Sequence, residues 1–221
     1  MTKKSILDEL LNDEDTTFKP NEEEDTILSP LLDQINLITN QHIRMFVRSV
    51  LLQAKTFWKI PSSFSGKHHP VDEHTAGGNV LHTRRVINVA KVLAESYSLN
   101  QEERDLIYAA CLLHDVTKGV SADDDENNFF YDPMHPYTVG IFVRKCQEND
   151  KKYGSELSSS TLFLDQETVE SILRLIRCHL GPWSPVPETY PTTYLDMIVH
   201  ISDNIASKLH TIAEDKTQED I

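Results

Sequence analysis

The sequence predicts an all-α fold, a helical bundle with inserted loops, from three observations. Apolar residues recur at helical spacing in several segments between residues 27 and 213, as in helices that bury one face. Residues typical of helix ends stand before and after these segments. Nowhere do apolar and polar residues alternate over a convincing strand. The 221 residues suffice for one globular domain with a sizeable core.

The first predicted helical segment begins after Ser29-Pro30. Apolar side chains from Leu31 to Leu51 recur at helical intervals, so a helix or a pair of helices runs to about Phe57. Residues 60–78 follow as a loop rich in Pro, Ser, Gly and His. This loop is long for a connection, and long loops in compact domains are often functional.

Two central helices are predicted next, and three more follow. Asn79 is a suitable N-cap for a helix over residues 80–97, whose apolar side chains share one stripe. Asn100 is the predicted N-cap of the next helix, which has acidic residues in its first turn and Gly119 as its stop. The remaining predicted helices cover residues 136–149, 166–180 and 193–212.

Acidic residues are concentrated at the two ends of the chain. The net charge is −14, and residues 1–26 hold nine acids against three lysines, while residues 214–221 hold four acids against one lysine. Such segments stay solvated because like charges repel and little apolar surface can be buried. We therefore expect a flexible acidic arm over residues 1–26, a helical domain over residues 27–213 and an acidic tail over residues 214–221.

Composition excludes several classes of function. The longest apolar run, Leu106 to Leu113, has eight residues, and a membrane span needs about 20. No basic stripe is present for duplex DNA. The first residues show no apolar segment of a secretory signal, and three scattered cysteines form neither a disulfide framework nor a thiolate zinc site. A cytoplasmic location is expected.

Histidine and aspartate residues within or at the ends of predicted helices point to a metal site. Because each of them follows or interrupts an apolar stripe, their side chains can converge inside a bundle. Imidazole and carboxylate ligands suit divalent Mn, Fe, Co, Ni or Zn, with Mg as an alternative. The candidate metal ligands are His82, His114, Asp115, His135, His179 and Asp203.

The order and spacing of these residues resemble the HD superfamily of metal-dependent phosphohydrolases. A lone His-Asp pair would be weak evidence, but His114-Asp115 follows an apolar helix and precedes Lys118 and Gly119, with a histidine upstream and an aspartate downstream. The resemblance covers about residues 60–209. Its motif-bearing segments are residues 77–83, 112–119, 134–136, 178–182 and 199–204.

The resemblance implies an HD-domain helical bundle and a role for each candidate ligand. Four side chains would hold a first metal: His82, His114, Asp115 and Asp203. His135 and His179 correspond to the additional ligands of the two-metal subgroup, with Asp115 bridging both ions. Two divalent metal ions are therefore expected, although His135 could instead simply stand near a helix start.

The expected chemistry follows from the charge of such a site. Two divalent ions and two carboxylates leave a buried charge of about +2, which attracts phosphate that the acidic surface would repel. Asp115 positions the ions, Lys118 steadies a phosphoryl oxygen as in the family's His-Asp-x-x-Lys pattern, and Arg85 is a second phosphate contact. Lys67 and His69, in the loop before the first helix histidine, are expected to bind substrate. That loop could equally be a solvated turn, and Lys118 could instead complement a helix dipole.

The predicted function is hydrolysis of a phosphate ester or anhydride by a metal-bound hydroxide. The expected partner is a phosphorylated small molecule or nucleotide, or a short single-stranded RNA or DNA end. Two alternatives stay open at this point: a di-iron HD-type oxygenase, and a non-catalytic nucleotide-binding or adaptor module whose acidic ends engage a basic partner. Substrate identity, native metal and oligomeric state are not predicted.

Overall fold

The structure, a computed structural model, describes residues 22–122, 125–153 and 164–208. It is mostly helical and confirms the predicted all-α class. The helices are α1 Glu22–Leu28, α2 Leu32–Ile35, α3 Gln41–Gln53, α4 Gly78–Ser96, α5 Gln101–Leu113, α6 His135–Tyr153, α7 Gln166–Arg177 and α8 Tyr194–Ala206. Two strands, β1 Gly119–Ala122 and β2 Asp125–Tyr131, lie between α5 and α6.

Helix α5 lies at the centre of the bundle. It packs against α2, α3, α4, α7 and α8, and every side chain from Ile107 to Leu113 is buried. A helical stretch that is enclosed on all sides, as this second half of α5 is, has no need of a polar face. The central position of this stretch thus explains the eight-residue apolar run. Because α5 ends inside the bundle, the residues that follow Leu113 also lie in the interior.

Side-chain caps fix where several helices begin. Asn40 caps α3 and Asn100 caps α5, and the capping box of Asn100 with Glu103 confirms the predicted start of α5. The predicted N-cap Asn79 is wrong, because α4 begins at Gly78 after Gly77, whose φ is 78°. Asn79 is instead fully buried, and its Nδ2 donates a hydrogen bond to the carbonyl of Asp115 at 3.4 Å.

The two strands form an antiparallel hairpin that the sequence pattern did not predict. Gly119 pairs with Tyr131 and Val120 with Phe130. Val120 and Phe130 are both exposed, and a strand whose apolar side chains face solvent shows no alternation of apolar residues inside with polar residues outside. Gly119 has a role other than stopping a helix: a Cβ there would lie 2.7 Å from Ile60, so glycine lets the hairpin base pack against the preceding loop.

The first helix begins inside the segment expected to be a solvated arm. Asp25 on α1 pairs with the buried Arg48 on α3 at 2.6 Å, and Leu28 is fully buried. The rest of the expected arm, residues 1–21, and the expected tail lie outside the described residues. Within the described ranges, no helix is both long enough and apolar enough to cross a bilayer.

Replacing Asp105 tests the junction between α3 and α5. Its buried carboxylate accepts hydrogen bonds from the backbone N–H groups of Thr39 and Asn40 at 2.9 and 2.8 Å. Asp105→Ala leaves both donors without their acceptor, so we expect the free energy of unfolding in urea to fall by about 2 to 3 kcal/mol. The control Glu102→Ala, on the exposed side of the same helix, should change it by less than about 0.5 kcal/mol. Equal losses would contradict this assignment.

Candidate metal centre

The six predicted metal ligands converge in the interior from five separate segments. His82 lies in α4, His114 and Asp115 follow α5, His135 begins α6, His179 follows α7 and Asp203 lies in α8. Five of them are buried, and the side chain of Asp203 is 21% exposed. The convergence arises because α5 ends at the bundle centre and the ends of α6 and α7 meet it there.

One group of side chains surrounds the first half of the centre. His82, His114 and Asp115 offer ligand atoms close enough together to hold a metal ion. Asp203 joins them, with Oδ1 at 2.9 Å from Nε2 of His82 and 3.9 Å from Nε2 of His114. Two imidazoles and two carboxylates form a donor set that suits a divalent first-row metal.

A second group shares Asp115 with the first. Asp115, His135 and His179 also bring ligand atoms close enough to hold a metal ion. Asp115 Oδ1 lies 3.0 Å from Nε2 of His135 and 3.8 Å from Nε2 of His179. Asp115 Oδ2 faces the other way and lies 3.4 Å from Nε2 of His114. The two oxygens of one carboxylate thus face two different histidine groups.

Local backbone geometry fixes which nitrogen of three histidines is available as a ligand. Nδ1 of His114, His135 and His179 lies 2.7, 2.8 and 2.7 Å from the carbonyl oxygen of the residue three positions earlier. A carbonyl can only accept, so each Nδ1 carries the proton and donates. Each Nε2 is then left with a lone pair directed into the centre, which is the form a metal requires.

Two of the converging atoms lack a hydrogen-bond partner among the described residues. These are Nε2 of His114 and Oδ1 of Asp115, both buried. Buried polar atoms are normally satisfied, because an unpaired one loses its hydration without replacement. A cation between these electron-pair donors would satisfy both, so the residues present fit a metal ion.

The electrostatic environment keeps both carboxylates and His179 in their metal-binding forms. Burial alone would raise the pKa of Asp115, but the neighbouring His114 and Lys118 hold that pKa well below its usual value. Burial also opposes ionisation of Asp203, but the hydrogen bond from His82 and the surrounding histidines together hold its pKa well below its usual value. Burial and the neighbouring His135 lower the pKa of His179 to about 3. The carboxylates are therefore ionised and His179 is neutral near neutral pH.

Lys118 points into the centre. Its Nζ lies 2.6 Å from Oδ2 of Asp115, and the residue is only 7% exposed. Burial lowers the pKa of Lys118, but the charges of Asp115 and Asp203 outweigh that effect and raise it, so the amine stays charged. Helix α5 has already ended at Leu113, so the geometry favours a role at the centre over a helix-dipole role.

The loop over residues 60–78 reaches the centre through His69. The rings of His69 and His82 have centroids 4.5 Å apart, and Nδ1 of His69 lies 3.0 Å from both Ser62 Oγ and Glu73 Oε2. Lys67 is exposed on the same loop, and its expected contact with substrate stays a prediction.

Arg85 has partners that the sequence did not predict. Its guanidinium bonds to Asp72 at 2.6 and 3.0 Å and to Glu73 at 2.5 Å. In place of the expected phosphate contact, the structure gives Arg85 two carboxylates in the preceding loop. Glu73 itself was missed, because an acidic residue in a polar loop has no distinguishing spacing; only its position shortly before Gly77-Gly78 could have drawn attention to it.

Tyr131 is a second residue that sequence reasoning missed. It ends β2 with its ring centroid 5.7 Å from that of His135 and 6.1 Å from that of Phe64. Burial raises the pKa of its hydroxyl more than the charge of Lys118 lowers it. The side chain lies beside the second histidine group and is still 45% exposed, so it forms part of the entrance to the centre.

The metal-free protein should be most stable near pH 6.5. Below that pH the histidines of the unfolded chain take up protons, whereas His179 and His69 in the folded protein stay neutral because their pKa values are about 3 and 4. The free energy of unfolding therefore falls as the pH is lowered from about 6.5. Above it, the stabilisation from protonated His82 is lost as pH rises towards its folded pKa of about 9, which Asp203 and Glu73 raise against burial. Melting temperature against pH in excess chelator measures this. His179→Gln should weaken only the acid limb, and a flat profile between about pH 5 and 8 would contradict the argument.

A comparison with known protein families identifies the chain. The family model described as HD domain matches residues 80–208, which is more than half of the chain and includes all six converging residues. No curated protein and no solved structure gave a significant match. Domains of this family bind divalent metals, in agreement with the donor set described above. The chain belongs to the HD superfamily of metal-dependent phosphohydrolases.

Proposed function

We propose that this protein uses two divalent metal ions to hydrolyse a phosphate ester or anhydride of a nucleotide or a short oligonucleotide. The observation that carries the proposal is the shared carboxylate of Asp115, whose Oδ1 faces His135 and His179 while Oδ2 faces His114. A carboxylate between two histidine groups is the arrangement expected of a bridging ligand. When bound, such a pair of ions polarises the phosphoryl group and activates water at neutral pH.

Lys118 supports hydrolysis as the reaction. Its charged amine is buried beside Asp115, and a fixed positive charge at the centre stabilises negative charge that develops on phosphoryl oxygens. In this proposal Lys118 holds Asp115 in place before substrate binds and then faces the phosphoryl group. Lys118 therefore supplies a positive charge that suits a phosphoryl group and that a di-iron oxygenase reaction does not need.

Tyr131 supports a substrate that carries a nucleobase. Its ring is held between Phe64 and His135, and part of it stays open to solvent. An aromatic ring fixed at the entrance to a phosphate-binding centre offers a stacking surface, and every base has a face that can stack. The phosphate would reach the centre while the base rests on Tyr131.

The proposal is tested with metal-stripped protein reloaded with Mn, Fe, Co, Ni, Zn or Mg and offered a panel of nucleotides and short oligonucleotides. We expect phosphate release from at least one substrate, and a loss of at least about 100-fold in Asp115→Asn, which keeps the size of the side chain but not its charge. His68→Ala, in the exposed part of the histidine-rich loop, should stay within about 2-fold.

Three results would contradict the proposal. An Asp115→Asn variant as active as the wild type would remove the bridging carboxylate from the mechanism. Product formation that requires oxygen and a mixed-valent iron signal would favour the oxygenase alternative. Tight nucleotide binding without turnover under any metal would favour the non-catalytic alternative.

Tyr131→Ala tests the stacking surface. We expect kcat/KM for a nucleotide to fall by about 10-fold, because base stacking on an aromatic side chain contributes about 1 to 3 kcal/mol. Hydrolysis of a sugar phosphate without a base should change little, and Tyr131→Phe should behave like the wild type. Phe130→Ala is the matched control, since adjacent strand residues point to opposite faces. Equal losses on both substrates would assign Tyr131 a structural role instead.

A further inference from the structure

We infer that Glu73 is the positioning residue of the first metal group, the carboxylate that holds His82 by its Nδ1 so that Nε2 is presented to the metal. The inference rests on the proposed function, because it concerns how the chain prepares a ligand for a divalent ion. Glu73 lies outside the two groups of histidine and aspartate residues on which the proposed function rests.

His82 needs support that the other histidines find in their own backbone. His114, His135 and His179 stand at helix ends, where the carbonyl three residues earlier accepts from Nδ1. His82 lies within α4, where the corresponding carbonyl, that of Asn79, already accepts from Thr83 Oγ1 at 2.9 Å. A histidine inside a helix must therefore be oriented by a side chain from another segment.

Glu73 is the side chain in that position. Its Oε2 lies 3.3 Å from Nδ1 of His82, and this buried nitrogen has no well-aligned hydrogen-bond partner among the described residues. On the opposite side of the ring, Nε2 faces Asp203 at 2.9 Å. With Nε2 turned towards a proposed ligand, Glu73 is left as the acceptor for the Nδ1 proton. Carboxylates that accept from the second nitrogen of a ligating histidine fix its tautomer and raise its basicity.

The surroundings of Glu73 keep it ionised and in place. Its side chain is 0% exposed and also contacts Nδ1 of His69 at 3.0 Å and Nη1 of Arg85 at 2.5 Å. Burial would raise the pKa of Glu73, but the neighbouring His69, His82 and Arg85 lower it to about 2. An ionised carboxylate with three positive or donor neighbours has no freedom to turn away from His82.

Backbone contacts also hold Glu73 close to the start of α4. The carbonyl of Glu73 accepts from the backbone N–H of Ser62 at 2.9 Å. A Cβ on Gly78 would lie 2.1 Å from the same carbonyl, so only glycine lets α4 begin this close to Glu73. The glycine pair Gly77-Gly78 thus brings the start of α4 and the loop together with His82 facing Glu73.

A third cation between His69, Glu73 and His82 is the competing explanation, because their ligand atoms lie close enough together to hold one. His82 argues against it. A neutral imidazole has a lone pair on only one of its nitrogens, so a ring that offers Nε2 to the first metal keeps a proton on Nδ1. Arg85 also already occupies Oε1 of Glu73. The geometry therefore points to a supporting carboxylate and not to a further metal site.

The test compares metal binding by Glu73→Gln with that of the wild type and of Asp72→Asn. Asp72 is the matched control because it is the other carboxylate partner of Arg85, with its side chain 55% exposed. Metal-stripped full-length protein is titrated with Mn²⁺ by calorimetry, metal per chain is counted, and folding is followed by melting in chelator. We expect one dissociation constant to rise by about 10- to 100-fold in Glu73→Gln while the other stays constant, and both to be unchanged in Asp72→Asn.

Glu73→Asp is the second variant, for the case in which Glu73→Gln does not fold. It keeps the charge beside Arg85 but withdraws the carboxylate from His82, and we expect it to weaken the same dissociation constant. Two unchanged constants in a folded Glu73 variant would overturn the inference and leave the proposed function intact. Three ions per wild-type chain, one of them lost with Glu73, would also overturn it in favour of the third cation. A wild type that binds no metal would instead refute the proposed function itself.

Discussion

An ionised carboxylate enclosed by an apolar helical core is destabilising unless positive charge surrounds it. Asp115 is that carboxylate, fully enclosed just after the central helix α5. Lys118 supplies a positive charge 2.6 Å from this carboxylate, and His114, His135 and His179 turn their Nε2 atoms towards it. The start of α6 and the end of α7 therefore lie around one charged residue. The same requirement explains why these groups stand ready to receive cations.

The histidines of the centre are held in two physically different ways. Those at helix ends donate to the backbone carbonyl three residues earlier, so the chain orients them locally. His82, inside α4, depends on Glu73 in a separate loop. The loop before α4 is thus part of the centre, and His69 with the pair Gly77-Gly78 holds one carboxylate and one ring in position.

The sequence was sufficient to predict α2 to α8 and to single out six side chains that converge, because both follow from local patterns. Apolar stripes define the helices, and residues placed at the ends of buried helices meet wherever those helices meet. Glu73 and Tyr131 could not be predicted in the same way, because their roles depend on which loop folds against which helix. Arg85 shows the limit most clearly: its helical face was predictable, but its two carboxylate partners, Asp72 and Glu73, lie 13 and 12 residues away in the preceding loop.

The hairpin between α5 and α6 is anchored at its root. Its root is fixed by a bond from the backbone N–H of Asp132 to the carbonyl of Lys118 at 2.8 Å and by the close approach of Gly119 to Ile60. Beyond that root, Val120 and Phe130 face solvent. In the proposed function, the metal ligands and Lys118 lie in the bundle, whereas Tyr131, which would stack on the base, lies on the hairpin. Selection, natural or in the laboratory, could then exchange or lengthen this ribbon to suit new substrates while the buried ligands keep their positions.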